Sequence, residues 1–211
     1  MHNVTVAFAV LLVMLLSYFF GCFNGSFMVS HFIIRDDVRK HGSGNAGLTN
    51  FYRTYGAKYA LLVIACDMGK TVAACLLGSF FFRCLGWDGT LGTLLAGLGC
   101  ELGHIFPVFY GFRGGKGILS GGTLVLLLNW RVAAVAWALF LLLWLTTRYV
   151  SLASITATCS APITVYFVYG HNWLYTSLCL AVAALVVWCH RENIQRLLHG
   201  TEKKFKWHVN P

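Results

Sequence analysis

The sequence is poor in charged residues, and above all in acidic ones. Asp, Glu, Lys and Arg together make up 11% of the 211 residues, with 7 Asp and Glu against 16 Lys and Arg. Hydrophobic residues reach 58%, and the mean hydropathy is +0.69. A soluble domain needs more polar surface than this composition supplies. The chain is therefore predicted to be an integral membrane protein.

Several features that would indicate other classes of protein are missing. No Pro/Ser-rich linker or acidic block divides the chain, so we predict a single membrane domain over residues 1–211. The 8 cysteines include no Cys-x-x-Cys pair, so we expect neither a disulfide framework nor a metal site, and no cofactor. The basic residues have few aromatic neighbours in polar segments, which argues against nucleic-acid binding.

The long apolar segments can be counted against the bilayer, whose hydrocarbon core takes about 20 helical residues to cross. Seven candidate spans result, and they predict an all-α polytopic membrane protein. The spans run approximately from Val4 to Ile34, Lys58 to Phe82, Thr90 to Phe112, Gly117 to Leu128, Val132 to Thr147, Ser151 to Tyr169 and Leu174 to Cys189.

The fourth and fifth spans are short, and three residues separate them, so they could instead form one long helix. With seven spans, 13 of the 16 Lys and Arg residues lie on one side, Arg83 and Arg131 lie on the other, and Lys70 lies within a span. Merging the two short spans places seven on each side. The positive-inside rule thus favours seven spans, with the N-terminus outside and the C-terminus in the cytoplasm.

The N-terminal segment lacks the features of a cleaved signal peptide. It opens with Met1-His2-Asn3, without Lys or Arg, and no small-residue cleavage site follows. We therefore expect the first span to be retained. Trp87, Trp130 and Trp173 fall at predicted outer turns, where indole rings anchor in the membrane interface, and this independently supports the predicted topology.

The first predicted cytoplasmic loop, from His41 to Arg53, is rich in glycine, hydroxyl and carboxamide side chains. Glycines permit positive φ and close backbone approach, so consecutive N–H groups can surround phosphate oxygens. Arg53 would add a bidentate guanidinium. The pattern predicts an anion-binding loop, and a flexible turn is the alternative.

The second loop, from Gly103 to Gly117, places Lys116 among Gly114, Gly115 and Gly117 at the start of the next predicted helix. It is not a Walker loop, since that pattern requires Gly at position 110 and Ser or Thr at 117. Backbone donors and a lysine at a helix N-terminus nevertheless attract anions. His104 by itself would more often be a hydrogen-bonded structural histidine.

Three further groups of polar residues stand out. His190 and Asn193 are three residues apart, so a helix places them on one face at the cytoplasmic interface, where membrane-flanking residues are the alternative. Asp67 and Lys70 are also three apart, inside a span, where an ion pair would lessen the cost of burying them. Glu101 lies about one turn from His104, and the sequence assigns it no role.

The segment from His31 to Asp36 has the His-x4-Asp spacing of acyl-CoA-dependent glycerolipid acyltransferases. The Phe-Pro-Glu-Gly segment expected downstream in that superfamily is missing. His31 also lies at the end of a membrane span, so we interpret the match as accidental.

Taken together, the polar segments resemble those of the bacterial acyl-phosphate-dependent glycerol-3-phosphate acyltransferases, the PlsY family, over nearly the whole chain. The motif Gly-Ser-Gly-Asn-x-Gly-Ala-Thr-Asn-x-x-Arg is matched from Gly42 to Arg53 except at Leu48. The motif Gly-His-x-x-Pro-x-Phe with a trailing Gly-Gly-Lys-Gly is matched from Gly103 to Gly117. Shorter matches are Asp37-Val38-Arg39, Asp67 with Lys70, Ser151 to Ser154 and His190 to Glu202.

The family's first motif, Gly-Ser-Ile-Pro-x-Gly with a following Lys, is altered in this chain. It corresponds to residues 21–26, where the departures are Cys22, Phe23, Asn24 and Ser26, and His31 stands for the Lys. We assign Cys22 a packing role.

The resemblance implies transfer of a fatty acyl group from acyl phosphate to the 1-hydroxyl of glycerol 3-phosphate, forming lysophosphatidic acid and phosphate in phospholipid biosynthesis. It also implies a bacterial inner membrane location with the site loops in the cytoplasm. No Ser-His-Asp elbow or Cys-His pair is evident, so we expect direct attack by the glycerol hydroxyl without an acyl-enzyme intermediate.

The resemblance also implies which residues form the site. The expected catalytic residues are Ser43, Arg53, Lys116, Ser154, His190 and Asn193. The expected substrate-binding residues are Gly42, Gly44, Asn45, Gly47, Thr49, Asn50, His104, Gly114, Gly115 and Gly117.

Two alternatives belong to other functional classes. Glycine-rich cationic loops could line the path of an organic-phosphate transporter, although transporters usually show internal repeats and neither loop recurs in the other half of the chain. The altered first motif would also suit a non-catalytic paralogue that binds or regulates.

Overall fold

The computed structural model describes residues 2–206, with side chains from residue 4 onward, and contains no strand in that range. The α-helices are α1 (His2–Cys22), α2 (Gly25–Met28), α3 (Leu48–Tyr55), α4 (Ala60–Cys84), α5 (Gly89–Ile105), α6 (Ile118–Leu128), α7 (Trp130–Thr147), α8 (Val150–Val168), α9 (Trp173–Cys189) and α10 (Arg191–Leu198). A π-helical segment (Val29–Ile34) and two 3-10 turns (Val38–Lys40 and Val108–Tyr110) complete the regular structure.

The described residues form two compact units, the first ending at Leu127 and the second beginning at Leu128. The prediction of one domain stays a prediction, because this grouping does not test whether the units fold independently.

Helix α5 is the centre of the first unit, where both α1 and α4 pack against it. Small residues allow this close packing. A side chain at Gly21 would collide with the backbone of Cys100, and one at Gly103 would collide with the backbone of Tyr18. The glycines of α1 and α5 thus bring these two backbones together.

The first predicted span is interrupted near its C-terminal end. Helix α1 stops at Cys22, and Asn24 caps α2 by accepting a hydrogen bond from the Phe27 N–H at 2.9 Å. Asn is a preferred residue at an N-cap because its side-chain oxygen satisfies a backbone donor at the helix start. Cys22 is fully buried, in agreement with its predicted packing role.

The second unit contains α7, α8 and α9, in which α8 packs on both neighbours. Asn129 interrupts the chain between α6 and α7 with extended backbone, and its side chain accepts from the Arg131 N–H at 2.9 Å. Asn172 caps α9 in the same way, accepting from the Tyr175 N–H at 3.1 Å. The prediction of separate fourth and fifth helices is therefore confirmed.

Five of the described segments are long and apolar enough to cross a membrane, and α9 with α10, bent by 59°, makes a possible sixth. Helix α6 has 11 residues, which is about half of what a crossing requires. Large apolar side chains such as Phe8, Leu61 and Leu145 are more than half exposed, as lipid-facing residues are. The all-helical membrane architecture is confirmed, and the seven-span count and the orientation stay predictions.

Candidate active site

The first loop is organised around the side chain of Asn50. Its Nδ2 donates to the carbonyl oxygens of Val38 at 3.1 Å, His41 at 3.1 Å and Asn45 at 3.0 Å. Its Oδ1 accepts from the Ser43 N–H at 3.0 Å. Four backbone groups between Val38 and Asn45 are thereby tied to one buried carboxamide.

Two glycines give the first loop its turns. Gly42 has φ of 58° and Gly44 has φ of 71°, a region that residues with a Cβ rarely adopt. The turns leave Ser43 exposed between them, while Arg53 is half-buried on α3, one turn beyond Asn50. Gly42 and Gly44 thus use the positive φ that glycine permits, whereas Gly47 has φ of −128°.

The second loop folds back onto the end of α5. The Gly114 N–H donates to the Ile105 carbonyl at 3.1 Å, and the Gly115 N–H donates to the His104 carbonyl at 3.0 Å. Gly117 has φ of 80°, and α6 begins at the next residue. Lys116 is thus presented between two glycines of fixed conformation at the N-terminus of α6.

The two loops are hydrogen-bonded to each other through Ala46. Its N–H donates to the Gly114 carbonyl at 3.3 Å, and its carbonyl accepts from Asn24 Nδ2 at 2.9 Å. Asn24, one of the departures from the first motif, therefore holds the first loop directly.

An arginine ties the start of the first loop to the second. The guanidinium of Arg39 pairs with the Asp37 carboxylate, with Nη2 2.9 Å from Oδ2, and Nη1 donates to the Tyr110 carbonyl at 2.7 Å. The same guanidinium lies 4.4 Å from the ring centre of Phe27, within cation–π range. The hydrogen bonds from Arg39 lower the pKa of Asp37, which keeps this pair charged.

The polar cluster beneath the second loop joins α4 and α5. Lys70 Nζ lies 2.8 Å from Asp67 Oδ1, which confirms the expected ion pair. It also lies 2.7 Å from His104 Nδ1. All three side chains are at least 93% buried.

The residues of the His-x4-Asp match have separate partners. His31 is exposed and stacks on Phe27, with ring centres 5.3 Å apart. The Asp36 carboxylate bonds to His41 Nε2 at 2.7 Å and to the Tyr55 hydroxyl at 2.9 Å. The hydrogen bond from the backbone N–H of Asp37 is the main reason that the pKa of Asp36 is lowered. These contacts give both residues structural roles.

In the second unit, the imidazole of His190 is fixed by its own helix. Its Nδ1 lies 2.8 Å from the Val186 carbonyl oxygen. A carbonyl only accepts, so Nδ1 carries the proton and Nε2 is the acceptor nitrogen of the neutral ring. His190 is 4% exposed and Ser154 is 2% exposed.

Asn193 is held by Glu202, which follows α10. Glu202 Oε1 accepts from Asn193 Nδ2 and from Ser151 Oγ, both at 2.7 Å, and Oε2 accepts from Arg196 Nε at 2.7 Å. Burial raises the pKa of Glu202, but these hydrogen bonds outweigh it, so the pKa lies below the ordinary 4.5. A charged carboxylate thus orients the carboxamide of Asn193.

Comparison with known proteins identifies the family. The family described as Glycerol-3-phosphate acyltransferase matches residues 11–200. This chain belongs to that family. Glycerol-3-phosphate acyltransferases of Syntrophomonas wolfei and Finegoldia magna are each 38% identical to it, over 90% and 89% of this chain and 94% and 91% of their own lengths.

Crystal structures of PlsY, described as an integral membrane glycerol 3-phosphate acyltransferase, have the same fold. Its glycerol 3-phosphate form is 36% identical, with a TM-score of 0.83 over 93% of this chain and 96% of that one. Its lysophosphatidic acid form is 35% identical, with a TM-score of 0.80 over 93% and 95%. The chain is therefore a multi-pass membrane protein of this family.

The structure brings most of the predicted site residues of the first unit into two connected loops. The residues so placed are Gly42, Ser43, Gly44, Asn45, Gly47, Thr49, Asn50, Arg53, Gly114, Gly115, Lys116 and Gly117. His104 lies beneath these loops, 3% exposed and bonded to Lys70. In the second unit, Ser154, His190 and Asn193 are all buried. Their roles toward substrates stay predictions.

Sequence reasoning missed residues that hold the two loops and Asn193 in place. Asn24, Arg39 and Glu202 each bond to a predicted loop or site residue. The signal available for Arg39 and Glu202 was their presence within short matches to the family. For Asn24 it was the helix-capping preference of Asn.

Proposed function

We propose that this protein transfers a fatty acyl group from acyl phosphate to the 1-hydroxyl of glycerol 3-phosphate, forming lysophosphatidic acid and inorganic phosphate. The observation that carries the proposal is the pair of hydrogen-bonded loops that presents Lys116 and Arg53, in a chain whose relatives are named for acyl transfer to glycerol 3-phosphate. Both substrates carry phosphate, which such cationic glycine loops bind.

The proposed reaction is a single displacement. The hydroxyl oxygen of glycerol 3-phosphate attacks the carbonyl carbon of the acyl phosphate, and the bond from that carbon to the phosphate oxygen breaks. The hydroxyl proton passes to an oxygen of the departing phosphate. Because the acyl phosphate is already activated, the protein mainly has to position the reactants, and positioning can contribute roughly 7–11 kcal/mol in favourable cases.

The residues have distinct proposed roles. Arg53 and Lys116 neutralise phosphate and the charge that develops on the carbonyl oxygen. Ser43 and Ser154 offer neutral hydrogen bonds. His190 and Asn193 orient glycerol 3-phosphate, for which the acceptor Nε2 of His190 is suited.

The identity of the acyl donor is the more specific part of the proposal. Acyl-CoA would need a site for an adenine nucleotide, and the longest polar loop among the described residues is the one built around Asn50. His31 and Asp36, the residues that would indicate acyl-CoA chemistry, are engaged in structural contacts. We therefore expect acyl phosphate to be required.

The test supplies purified protein in lipid with labelled glycerol 3-phosphate and either palmitoyl phosphate or palmitoyl-CoA. We expect labelled lysophosphatidic acid in the organic phase with palmitoyl phosphate alone. Comparable rates with palmitoyl-CoA that are abolished by His31→Ala or Asp36→Ala would overturn the donor assignment. No lysophosphatidic acid with either donor would overturn the function.

Variants of the cations test the site. Arg53→Ala and Lys116→Ala each remove a charged phosphate partner, worth about 1.5–3 kcal/mol, so we expect kcat/KM to fall roughly 10- to 100-fold. Lys58→Ala, which removes an exposed lysine beside α4, is the matched control and is expected to retain activity. Normal turnover in both site variants would contradict the roles given to these two cations.

For topology we propose an inner-membrane protein with an external N-terminus, cytoplasmic loops and a cytoplasmic C-terminus. The distribution of Lys and Arg supports this orientation. Alkaline phosphatase fused after Pro211 is expected to be inactive, and activity in the periplasm would refute the orientation.

A further inference from the structure

The ammonium of Lys70 has as many acceptors as it has protons. It lies 2.8 Å from Asp67 Oδ1, 2.7 Å from His104 Nδ1 and 3.2 Å from the Gly21 carbonyl oxygen. A lysine ammonium has three N–H donors and no acceptor. The buried charge is thus paired with a carboxylate and fully hydrogen-bonded, which is the condition for tolerating it in the interior.

This arrangement determines the tautomer of His104. Because Lys70 only donates, Nδ1 of His104 accepts, and the proton of the neutral ring lies on Nε2. Asp67 does not compete for Nδ1, since its Oδ1 is 3.6 Å away and accepts from Lys70 and from the Gly25 N–H at 3.0 Å.

The Nε2 edge of the ring faces the second loop. A Cβ built on Gly115 would collide with His104 Nε2 and would lie 2.9 Å from the Ala46 carbonyl oxygen. Gly115 is therefore enclosed by the imidazole on one side and by the first loop on the other. Its N–H also donates to the His104 carbonyl, so both ring and backbone of this histidine fix the residue that precedes Lys116.

We propose that Lys70 is a positioning residue for acyl transfer: together with Asp67 it holds His104 in the Nε2–H tautomer, and the oriented ring fixes Gly115 and so the backbone that presents Lys116. The predicted effect on kcat rests on the proposed function, whereas the predicted tautomer of His104 rests on the geometry alone. It gives His104 a role beneath the loop and gives the intramembrane ion pair a role in the reaction.

The first experiment is independent of activity. The full chain in lipid nanodiscs is labelled with ring-15N histidine, and the His104 signals are assigned by their loss in His104→Asn. We expect Nε2 to be protonated and Nδ1 to be a bare acceptor in the wild-type protein. Protonated Nδ1, either in the other tautomer or in the imidazolium, overturns the proposal without any variant.

The second experiment changes the pair. Lys70→Met leaves Asp67 uncompensated and can prevent folding, so the double variant Asp67→Asn with Lys70→Met removes both charges together. Thr71→Val is the matched control, because it removes a buried hydroxyl from the next position of α4, where Thr71 Oγ1 donates to the Asp67 carbonyl at 3.0 Å. We expect the double variant, and not the control, to lose the single tautomer of His104.

Kinetic measurements on the same variants test the effect on acyl transfer. Misplacement of a reactive group by about 1 Å can reduce rate 100-fold, so we expect kcat of the double variant to fall roughly 10- to 100-fold. The loss should not exceed that of Lys116→Ala, because Lys116 itself remains. The positioning role is overturned if the double variant loses the single tautomer of His104 but keeps a normal kcat. It is also overturned if the tautomer of His104 is unchanged in the double variant. A wild-type protein with the expected tautomer and no acyl transfer instead contradicts the proposed function.

Discussion

Replacing Asn50 tests whether one side chain organises the first loop. Its carboxamide has two hydrogens on Nδ2 and meets three carbonyl oxygens, so one hydrogen is shared between two acceptors. Its oxygen accepts from the Ser43 N–H. Asn50→Ala therefore removes the equivalent of three hydrogen bonds and leaves buried backbone groups unsatisfied.

The size of the effect follows from that count. A net hydrogen bond contributes about 1 kcal/mol, so the folded loop loses about 3 kcal/mol relative to its disordered forms. If turnover requires the ordered loop, kcat/KM falls roughly 100-fold. Asn50→Asp should be at least as damaging although it matches Asn in size, because a carboxylate has no donor for the three carbonyls.

The assay measures kcat/KM with glycerol 3-phosphate and palmitoyl phosphate, together with hydrogen exchange of residues 41–53. Asn172→Ala is the matched control, since it removes a carboxamide that caps α9 and should lower stability by about 1 kcal/mol without changing turnover. The reasoning would be refuted by Asn50→Asp retaining wild-type kcat/KM, or by unchanged exchange in the inactive variants.

Three further substitutions have defined outcomes. Glu202→Gln should reduce activity. It should also make the protein lose less stability when the pH is lowered, because the lowered pKa of Glu202 means that its carboxylate stabilises the fold above about pH 4.5 and that this stabilisation is lost below it. Unfolding midpoints measured against pH check this. Glu101→Met should stabilise the protein by about 1–3 kcal/mol, measured by thermal unfolding, because both carboxyl oxygens are buried without a hydrogen-bond partner among the described residues. Gly115→Ala should fold but turn over poorly, whereas Gly69→Ala, where the added methyl meets open space, should behave as wild type.

Apolar length and charge distribution were sufficient to predict the helices. The predicted spans match the observed helices to within a few residues, apart from the first, which contains a break at Asn24, and the third, where α5 ends at Ile105. Both exceptions occur where polar side chains or a turn take over the backbone hydrogen bonds. Hydropathy carries no information about such local competition.

Contacts between distant segments could not be predicted in the same way. Lys70 and His104 are 34 residues apart, and Arg39 bonds to the carbonyl of a residue 71 positions away. Which face of α4 meets α5 depends on the rotation of two helices whose apolar residues lie on all sides. Glu101 shows the same limit, since only the structure reveals that it faces Gly117 and Gly121.

The residues that sequence analysis finds and those it misses differ in their physical task. Ser43, exposed on the first loop, and Arg53, half-buried on α3, belong to a motif that can be matched by residue type alone. Asn24 and Arg39 instead hold the loops by donating to backbone carbonyl oxygens that would otherwise be unpaired. Any side chain with suitable donors can bond to such a carbonyl oxygen if the fold places it correctly. This explains how Asn24 can bond to the Ala46 carbonyl in a chain whose first motif departs from the family pattern.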